Sequence, residues 1–184
     1  FEQIRIVAAK VADASWRATK EVEQYSSDAP VGMLQREVPL DWRKPSQELV
    51  ERAKKILAMS KEEQAKLPRL ATNYAQRTLS QEKRAGKADC LVQAIRIGDQ
   101  AIVSFPFETF VETGLEIKKK SPFKHTFVIE LANGSYGYLP TPRHHELGGY
   151  ETWLGTNKVQ KDGSDLLTRN LLEMLNELHS GKGK

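Results

Sequence analysis

The segment CLVQAIRIGDQAIVSF, residues 90–105, decides the fold class because two apolar runs flank a turn signal. The runs at 90–97 and 101–105 are rich in β-branched side chains, which favour strands. Gly98-Asp99 between them is typical of the tight turn in a β-hairpin. We therefore predict two antiparallel strands, the second ending at Pro106 because proline has no backbone N–H to donate.

Helical and extended patterns alternate on both sides of this hairpin. Helical spacing of apolar residues predicts helices over 1–24, 45–57, 70–84, 109–120 and 166–178. Ser60 and Glu63 have the spacing of a capping box, which predicts a short further helix. Residues 31–40 and 125–131 are predicted strands, the first of them stopping by Pro39. The alternation predicts an α/β fold with a mixed β-sheet flanked by helices.

The 184 residues are predicted to form a single unit, mostly helical over 1–87 and carrying strands and helices over 88–184. The net charge is +4, with 17 basic and 12 acidic residues up to Lys87 and 11 and 12 after it. A solvated helix surface accounts for an excess this mild, so we predict no nucleic-acid partner. No stretch approaches the roughly 18 apolar residues of a membrane-spanning helix. A single cysteine, Cys90, excludes an internal disulfide framework and a cysteine-rich zinc module.

Two loops at strand ends have the composition of a functional site. In the first, residues 105–110 (FPFETF), the carboxylate Glu108 follows an apolar strand and precedes a helix. The alternative interpretation is a carboxylate that favours the start of the helix. The second, residues 133–151, concentrates glycines and three tyrosines, a pattern typical of unusual backbone geometry with positioned phenols. An ordinary turn-rich connection is the alternative there.

The remaining signatures are weak. The histidines include no His-x-x-x-His pair, and they are His125, His144, His145 and His179. A complete zinc site within this chain is therefore not expected. The segment Gly134-Ser135-Tyr136-Gly137 lacks the spacing of a nucleophile elbow, and no glycine-rich phosphate loop is present.

Five short pieces between Val92 and the terminal helix resemble, in order and spacing, the neutral/alkaline non-lysosomal ceramidase family. They are residues 105–110 (FPFETF), 121–126 (SPFKHT), 131–133 (LAN), 137–141 (GYLPT) and 148–151 (GGYE). No single piece is specific, and the resemblance depends on their common order. The first helix and the strand around Val38 fit the family more loosely.

Members of that family hydrolyse the amide bond of ceramide with one zinc ion and a serine nucleophile. The resemblance implies that Glu108 and Tyr138 are zinc ligands and that Tyr150 is a catalytic residue that hydrogen-bonds the reacting carbonyl oxygen. It also implies a lipid amide substrate such as ceramide, peripheral contact of the protein with a membrane, and a secreted or periplasmic location. One difference is Phe107, since many members have glycine immediately before the glutamate.

The family's two ligand histidines and its serine nucleophile match no residue of this chain. The resemblance therefore implies that the chain is the C-terminal portion of a larger catalytic domain, partnered by the upstream part of its own chain. We expect the 184 residues alone to be inactive and to bind zinc weakly or not at all, because two ligands do not make a tight site.

Two other interpretations compete with a ceramidase-like amide hydrolase. One is a non-enzymatic binding module that uses the basic helical part against anionic lipid or nucleic acid. The other is an unrelated hydrolase, or a structural domain that has drifted from the family while keeping its core. The hydrolase interpretation requires Glu108, Tyr138 and Tyr150 to meet on one open face.

Overall fold

The computed structural model describes residues 1–25 and 27–181. The chain divides into two compact units, Phe1–Pro30 and Val31–Lys184. The first contains helix α1 (Glu2–Lys20), which confirms the predicted helix but ends earlier. Arg17 pairs with Asp13 at 2.8 Å, one turn away. No residue of α1 is buried, and no helix in the described part of the chain is long and apolar enough to cross a membrane.

The second unit is built on a mixed sheet with the strand order β1-β2-β3-β5. The strands of this unit are β1 (Val31–Asp41), β2 (Lys87–Ile97), β3 (Gln100–Ser104), β4 (Glu108–Thr109), β5 (His125–Ile129) and β6 (Tyr138–Leu139). β1 and β2 are antiparallel along their full length, β2 and β3 form the predicted hairpin, and β5 runs parallel to β3. The predicted mixed sheet with flanking helices is confirmed.

Strand β1 continues to Asp41, so the prediction that it stops by Pro39 was wrong. Pro39 is opposite Asp89 in the ladder with β2. β1 lies at one end of the strand order, so a backbone N–H on its open side has no strand to donate to within the described ranges 1–25 and 27–181. A proline is tolerated at such an edge position because its missing N–H costs no ladder bond.

The described part of the second unit also contains six α-helices, two of which pack on the sheet while two others pack on each other. The six are α2 (Gln47–Ala58), α3 (Lys61–Gln64), α4 (Ala71–Glu82), α5 (Val111–Lys120), α6 (Pro142–Leu147) and α7 (Gly163–His179). The predicted capping box at α3 is present, with Ser60 N donating to the Glu63 carboxylate at 2.8 Å. α2 packs against α4, while α7 packs on β1 and β2, and α5 packs on β5 and α7.

The core lies between the sheet and the helix pair α5 and α7. The sheet, both helices and the loop after β3 all contribute fully buried side chains to it. They include Leu40, Val92, Val103, Phe105, Phe107, Ile117, Leu171 and Leu175. Phe107 packs within this core with its ring centroid 5.5 Å from that of Tyr136. The larger residue before Glu108 is therefore accommodated inside the fold. The predicted place of residues 1–184 within a larger domain stays a prediction.

Substituting Phe107 with alanine tests this assignment of the core. Removing a fully buried phenyl ring leaves a cavity and is expected to lower the free energy of unfolding by about 3–5 kcal/mol in urea titrations. The matched control is Phe127→Ala in β5, where the side chain is 45% exposed and a loss below about 1 kcal/mol is expected. Equal losses in the two variants would contradict the packing described.

Candidate active site

The pairing of β4 with β6 brings together the first two predicted site residues. The two strands are parallel, and Glu108 is opposite Tyr138 in their register. Backbone hydrogen bonds hold the junction, since Glu108 N donates to Gly137 O at 3.0 Å and Tyr136 N donates to Pro106 O at 2.9 Å. Both Glu108 and Tyr138 are half-buried. The loop after β3 and the loop before α6 thus meet through a parallel β-ladder only two residues long.

Tyr150 completes the group from a single 3₁₀ turn, Tyr150–Thr152. Its hydroxyl lies 2.7 Å from the hydroxyl of Tyr138, and the two rings are edge-to-face with centroids 5.5 Å apart. The Tyr150 side chain is 47% exposed, so the group opens to solvent on its side. The structure therefore brings the three predicted site residues together, while their roles stay predictions.

The electrostatics of this group centre on the phenol of Tyr138. Hydrogen bonds to Tyr150 and to the Glu108 carboxylate raise the pKa of Tyr138 well above its usual value, and the Glu108 charge adds to the effect. The phenol is consequently protonated at neutral pH, with a carboxylate at its side as acceptor. Such a set can donate hydrogen bonds to an incoming carbonyl or offer oxygen ligands to a cation.

Gly137 allows β6 to sit close to the segment at 154–157. Its φ of +88° is in the left-handed region, and a Cβ at this position would overlap the carbonyl oxygen of Thr156. The same carbonyl accepts the backbone N–H of Tyr138 at 3.1 Å. Glycine is thus required here twice, by its dihedral angle and by the close approach.

Sequence reasoning missed two residues that position this site, Arg43 and Asn157. The fully buried side chain of Asn157 donates to Tyr138 O at 3.2 Å and accepts from Arg43 Nη1 at 3.2 Å. The same Arg43 nitrogen donates to Thr152 O at 2.5 Å, at the end of the turn that carries Tyr150. Partial burial lowers the pKa of Arg43. Neither residue belongs to a periodic pattern or motif, so the sequence contains no local signal for this network.

The donor set suits a metal ion only in part. Carboxylate and phenolate oxygens are both competent ligands, and Glu108 and Tyr138 are neighbours. In the described residues, no three His, Cys, Asp or Glu side chains are grouped closely enough to hold a metal ion. His144 instead contacts Thr141 Oγ1 at 2.7 Å and Glu112 at 3.5 Å. The described residues thus bring together two candidate oxygen ligands, Glu108 and Tyr138, which is fewer than a tight metal site contains.

Comparison with known proteins supports the fold. No protein-family model and no curated protein matches the sequence. A crystal structure of neutral ceramidase from Pseudomonas aeruginosa matches 82% of this chain with a TM-score of 0.50 and 14% identity. A structure described as ceramidase complexed with C2 matches 49% with a TM-score of 0.43 and 19% identity.

The chain spans only 29% and 15% of the lengths of these two proteins. At such identities the similarity shows the fold alone, and this conclusion rests on the Pseudomonas structure. The chain has a ceramidase-like fold over most of its length, as the sequence resemblance predicted.

One histidine near the site has an unusual environment. Nε2 of His145 is buried and has no hydrogen-bond partner among the described residues. Burial, with the nearby charges of Arg43 and Lys161, lowers its pKa to about 4. The imidazole is therefore neutral in the folded chain at any pH well above 4.

Gly137→Ala tests whether the backbone at β6 sets the site. The forced shift of Thr156 or of Tyr138 is expected to lower the free energy of unfolding by about 1–3 kcal/mol and to move the ring NMR signals of Tyr138 and Tyr150. Gly148→Ala is the control, because its φ of +83° is similar but no atom of the described part of the chain lies within 4 Å of the added Cβ. Unchanged tyrosine signals in Gly137→Ala would contradict the role given to Gly137.

His145 predicts a pH dependence of stability. In the unfolded chain it gains a proton near pH 6.5, whereas the folded chain resists until about pH 4. Stability is therefore lost as the pH falls from about 6.5 to 4, by roughly 1–2 kcal/mol once solvent screening is allowed for. When the free energy of unfolding from urea titrations is plotted against pH, His145→Gln should show a shallower slope in this window. The exposed His125→Gln should keep the original slope, and identical slopes in all three proteins would contradict the assignment.

Proposed function

We propose that this chain is part of a zinc-dependent amide hydrolase that cleaves the N-acyl bond of a lipid amide such as ceramide. The observation that carries the proposal is the meeting of Glu108, Tyr138 and Tyr150 within a ceramidase-like fold. The catalytic and metal-binding roles proposed for these residues come from the sequence resemblance, and their proximity is what those roles require.

Glu108 and Tyr138 are the residues that would hold zinc. The remaining ligands would come from the upstream part of the same protein, outside these 184 residues. A bound zinc ion would polarise the amide carbonyl. Glu108 supplies a negative charge next to the phenol, and Asn157 fixes the backbone of Tyr138 through its carbonyl oxygen. The chain thus contributes a preorganised pair of oxygen ligands.

Tyr150 is proposed to donate its hydroxyl hydrogen to the carbonyl oxygen of the substrate as negative charge develops there. Its hydroxyl is within hydrogen-bond distance of Tyr138, and about half of its side chain faces solvent. Arg43 holds the end of its turn through Thr152 O, which limits the movement of the donor. Such fixed donors stabilise charge without reorganising during the reaction.

A large apolar cavity beside the site supports a lipid substrate. It has a volume of about 690 Å³, within the usual range for ligand pockets, and lies between α2 and α4. Thr152 at the end of the Tyr150 turn lines one wall with Trp153 and Leu154, which follow it. The other walls are mostly apolar and include Ala53, Ile56 and Leu67, with Arg43, Arg52 and Arg69 also in the lining. Glu108, Tyr138 and Tyr150 are not among its lining residues. We assign the cavity to an acyl chain and the tyrosine group to the amide.

The proposal is tested by hydrolysis of N-acylsphingosine by the full-length protein supplied with zinc. Tyr150→Phe is expected to lower kcat/KM by about 10²–10³-fold, because it removes one donor to the developing oxyanion. Glu108→Gln is expected to lower both the zinc content and the activity. Measurements are fatty-acid release and metal analysis.

The matched controls are Tyr25→Phe and Glu146→Gln, whose side chains are exposed and outside the site. Both should retain zinc and activity. Full activity and zinc content in Tyr150→Phe and Glu108→Gln would refute the proposed roles, and absence of amide hydrolysis by the wild-type protein would refute the proposed reaction.

A further inference from the structure

A second cleft, separate from the tyrosine group, lies between α4 and the segment that follows the Tyr150 turn. It has a volume of about 290 Å³. Asn73, Gln76, Arg77, Ser80, Gln81 and Arg84 line it from the α4 side, and Gly155 and Lys158 line it from the other. The lining contains three cationic side chains and no carboxylate. Unlike the first cavity, on the other side of α4, it has no apolar side chain larger than a methylene stem in its lining, because its other residues are amides, a serine and a glycine.

The three cations are Arg77, Arg84 and Lys158, and none has an ion pair among the described residues. Aromatic rings hold the two guanidinium groups instead. Arg77 lies over the ring of Tyr74 at 5.2 Å and Arg84 over that of Trp42 at 4.1 Å. Stacking of this kind restrains a guanidinium plane while leaving its N–H groups free to bind an anion.

Lys158 and Arg84 are half-buried, whereas Arg77 is exposed. The backbone of Lys158 is fixed on two sides, since Lys158 O accepts from Arg43 N at 2.9 Å and from the side-chain amide of Gln81. Burial, followed by repulsion from Arg84 and Arg77, lowers the pKa of its ammonium group. The fold thus holds a half-buried cation next to two others of the same sign, an arrangement that costs stability unless an anion offsets it.

Gly155 brings the two walls of the cleft together. Its φ is +87°, and a Cβ there would lie 2.8 Å from the Cβ of Arg77. Any larger residue would therefore push α4 away from the 155–158 segment. The close approach of Arg77 is consequently a property of the backbone and not of a mobile side chain alone.

The geometry points to a phosphate-binding site in this cleft, with Arg77, Arg84 and Lys158 as its cationic donors. Arginine presents paired N–H groups that match phosphate oxygens, and lysine adds a compact charge. Asn73, Gln76 and Ser80 line the same cleft and offer neutral donors. The volume admits a phosphate group with a small substituent, which is the shared chemistry of a soluble phosphomonoester and a phospholipid headgroup. This site does not depend on the proposed amide hydrolysis.

The test is a titration of the full chain with inorganic phosphate at pH 7, followed by calorimetry and by the NMR signals of the lysine side chains. Ionic strength is held constant with chloride, since general screening would otherwise imitate binding. We expect saturable binding that moves the signals of Lys158. Lys158→Met should weaken it by at least about tenfold, and Lys83→Met, an exposed neighbour with the same charge change, should leave it unchanged.

Two further arms keep the proposal open to refutation. Without phosphate, Lys158→Met should unfold at a temperature equal to or above that of the wild type, which separates lost binding from lost folding. Arg84→Gln provides a second variant if Lys158→Met does not fold. Absence of saturable phosphate binding, or equal weakening in Lys158→Met and Lys83→Met, would overturn the proposal.

The source of the phosphate is distinguished with phosphatidylcholine vesicles that contain or lack phosphatidic acid. Binding only to the vesicles with phosphatidic acid, displaced by free phosphate, would support a headgroup ligand. Binding of inorganic phosphate without vesicle binding would support a soluble phosphomonoester.

Discussion

A buried amide, the side chain of Asn157, is the contact on which the geometry of the candidate site depends. It joins the carbonyl oxygen of Tyr138 to the guanidinium of Arg43, which in turn holds the carbonyl oxygen of Thr152. A fully buried amide must satisfy its hydrogen bonds, because an unpaired polar group in the interior is costly. Arg43 lies two residues after the end of β1, so the candidate ligand strand and the Tyr150 turn are both tied to the end of the longest ladder in the sheet.

The elements that form locally were predictable from the sequence. The β2–β3 hairpin follows from its turn and its β-branched runs, and α3 follows from the capping box of Ser60 and Glu63, because each signal lies within a few residues. Pro39 misled the strand prediction, since its effect depends on whether a strand is at the edge or in the middle of a sheet. That is a property of the assembled fold and cannot be read from neighbouring residues.

The candidate site was predictable only through the order of short motifs. Glu108, Tyr138 and Tyr150 were identified by resemblance, but their meeting rests on a two-residue ladder between distant loops and on the space left by Gly137. Arg43 and Asn157 had no signal because the contact between them joins positions 114 residues apart in the chain. Phe107 shows the same limit, since nothing local indicates that its ring is buried in the core beside Tyr136.

Pro39 has a consequence beyond the length of its strand. The open side of an edge strand presents unpaired N–H and C=O groups that can template pairing with another polypeptide. A proline in such a strand, together with charged neighbours such as Arg36 and Glu37, removes a donor and disfavours the flat, apolar edge on which intermolecular sheets grow. The same proline that made the strand pattern look interrupted thus lowers the capacity of this edge to pair with another polypeptide.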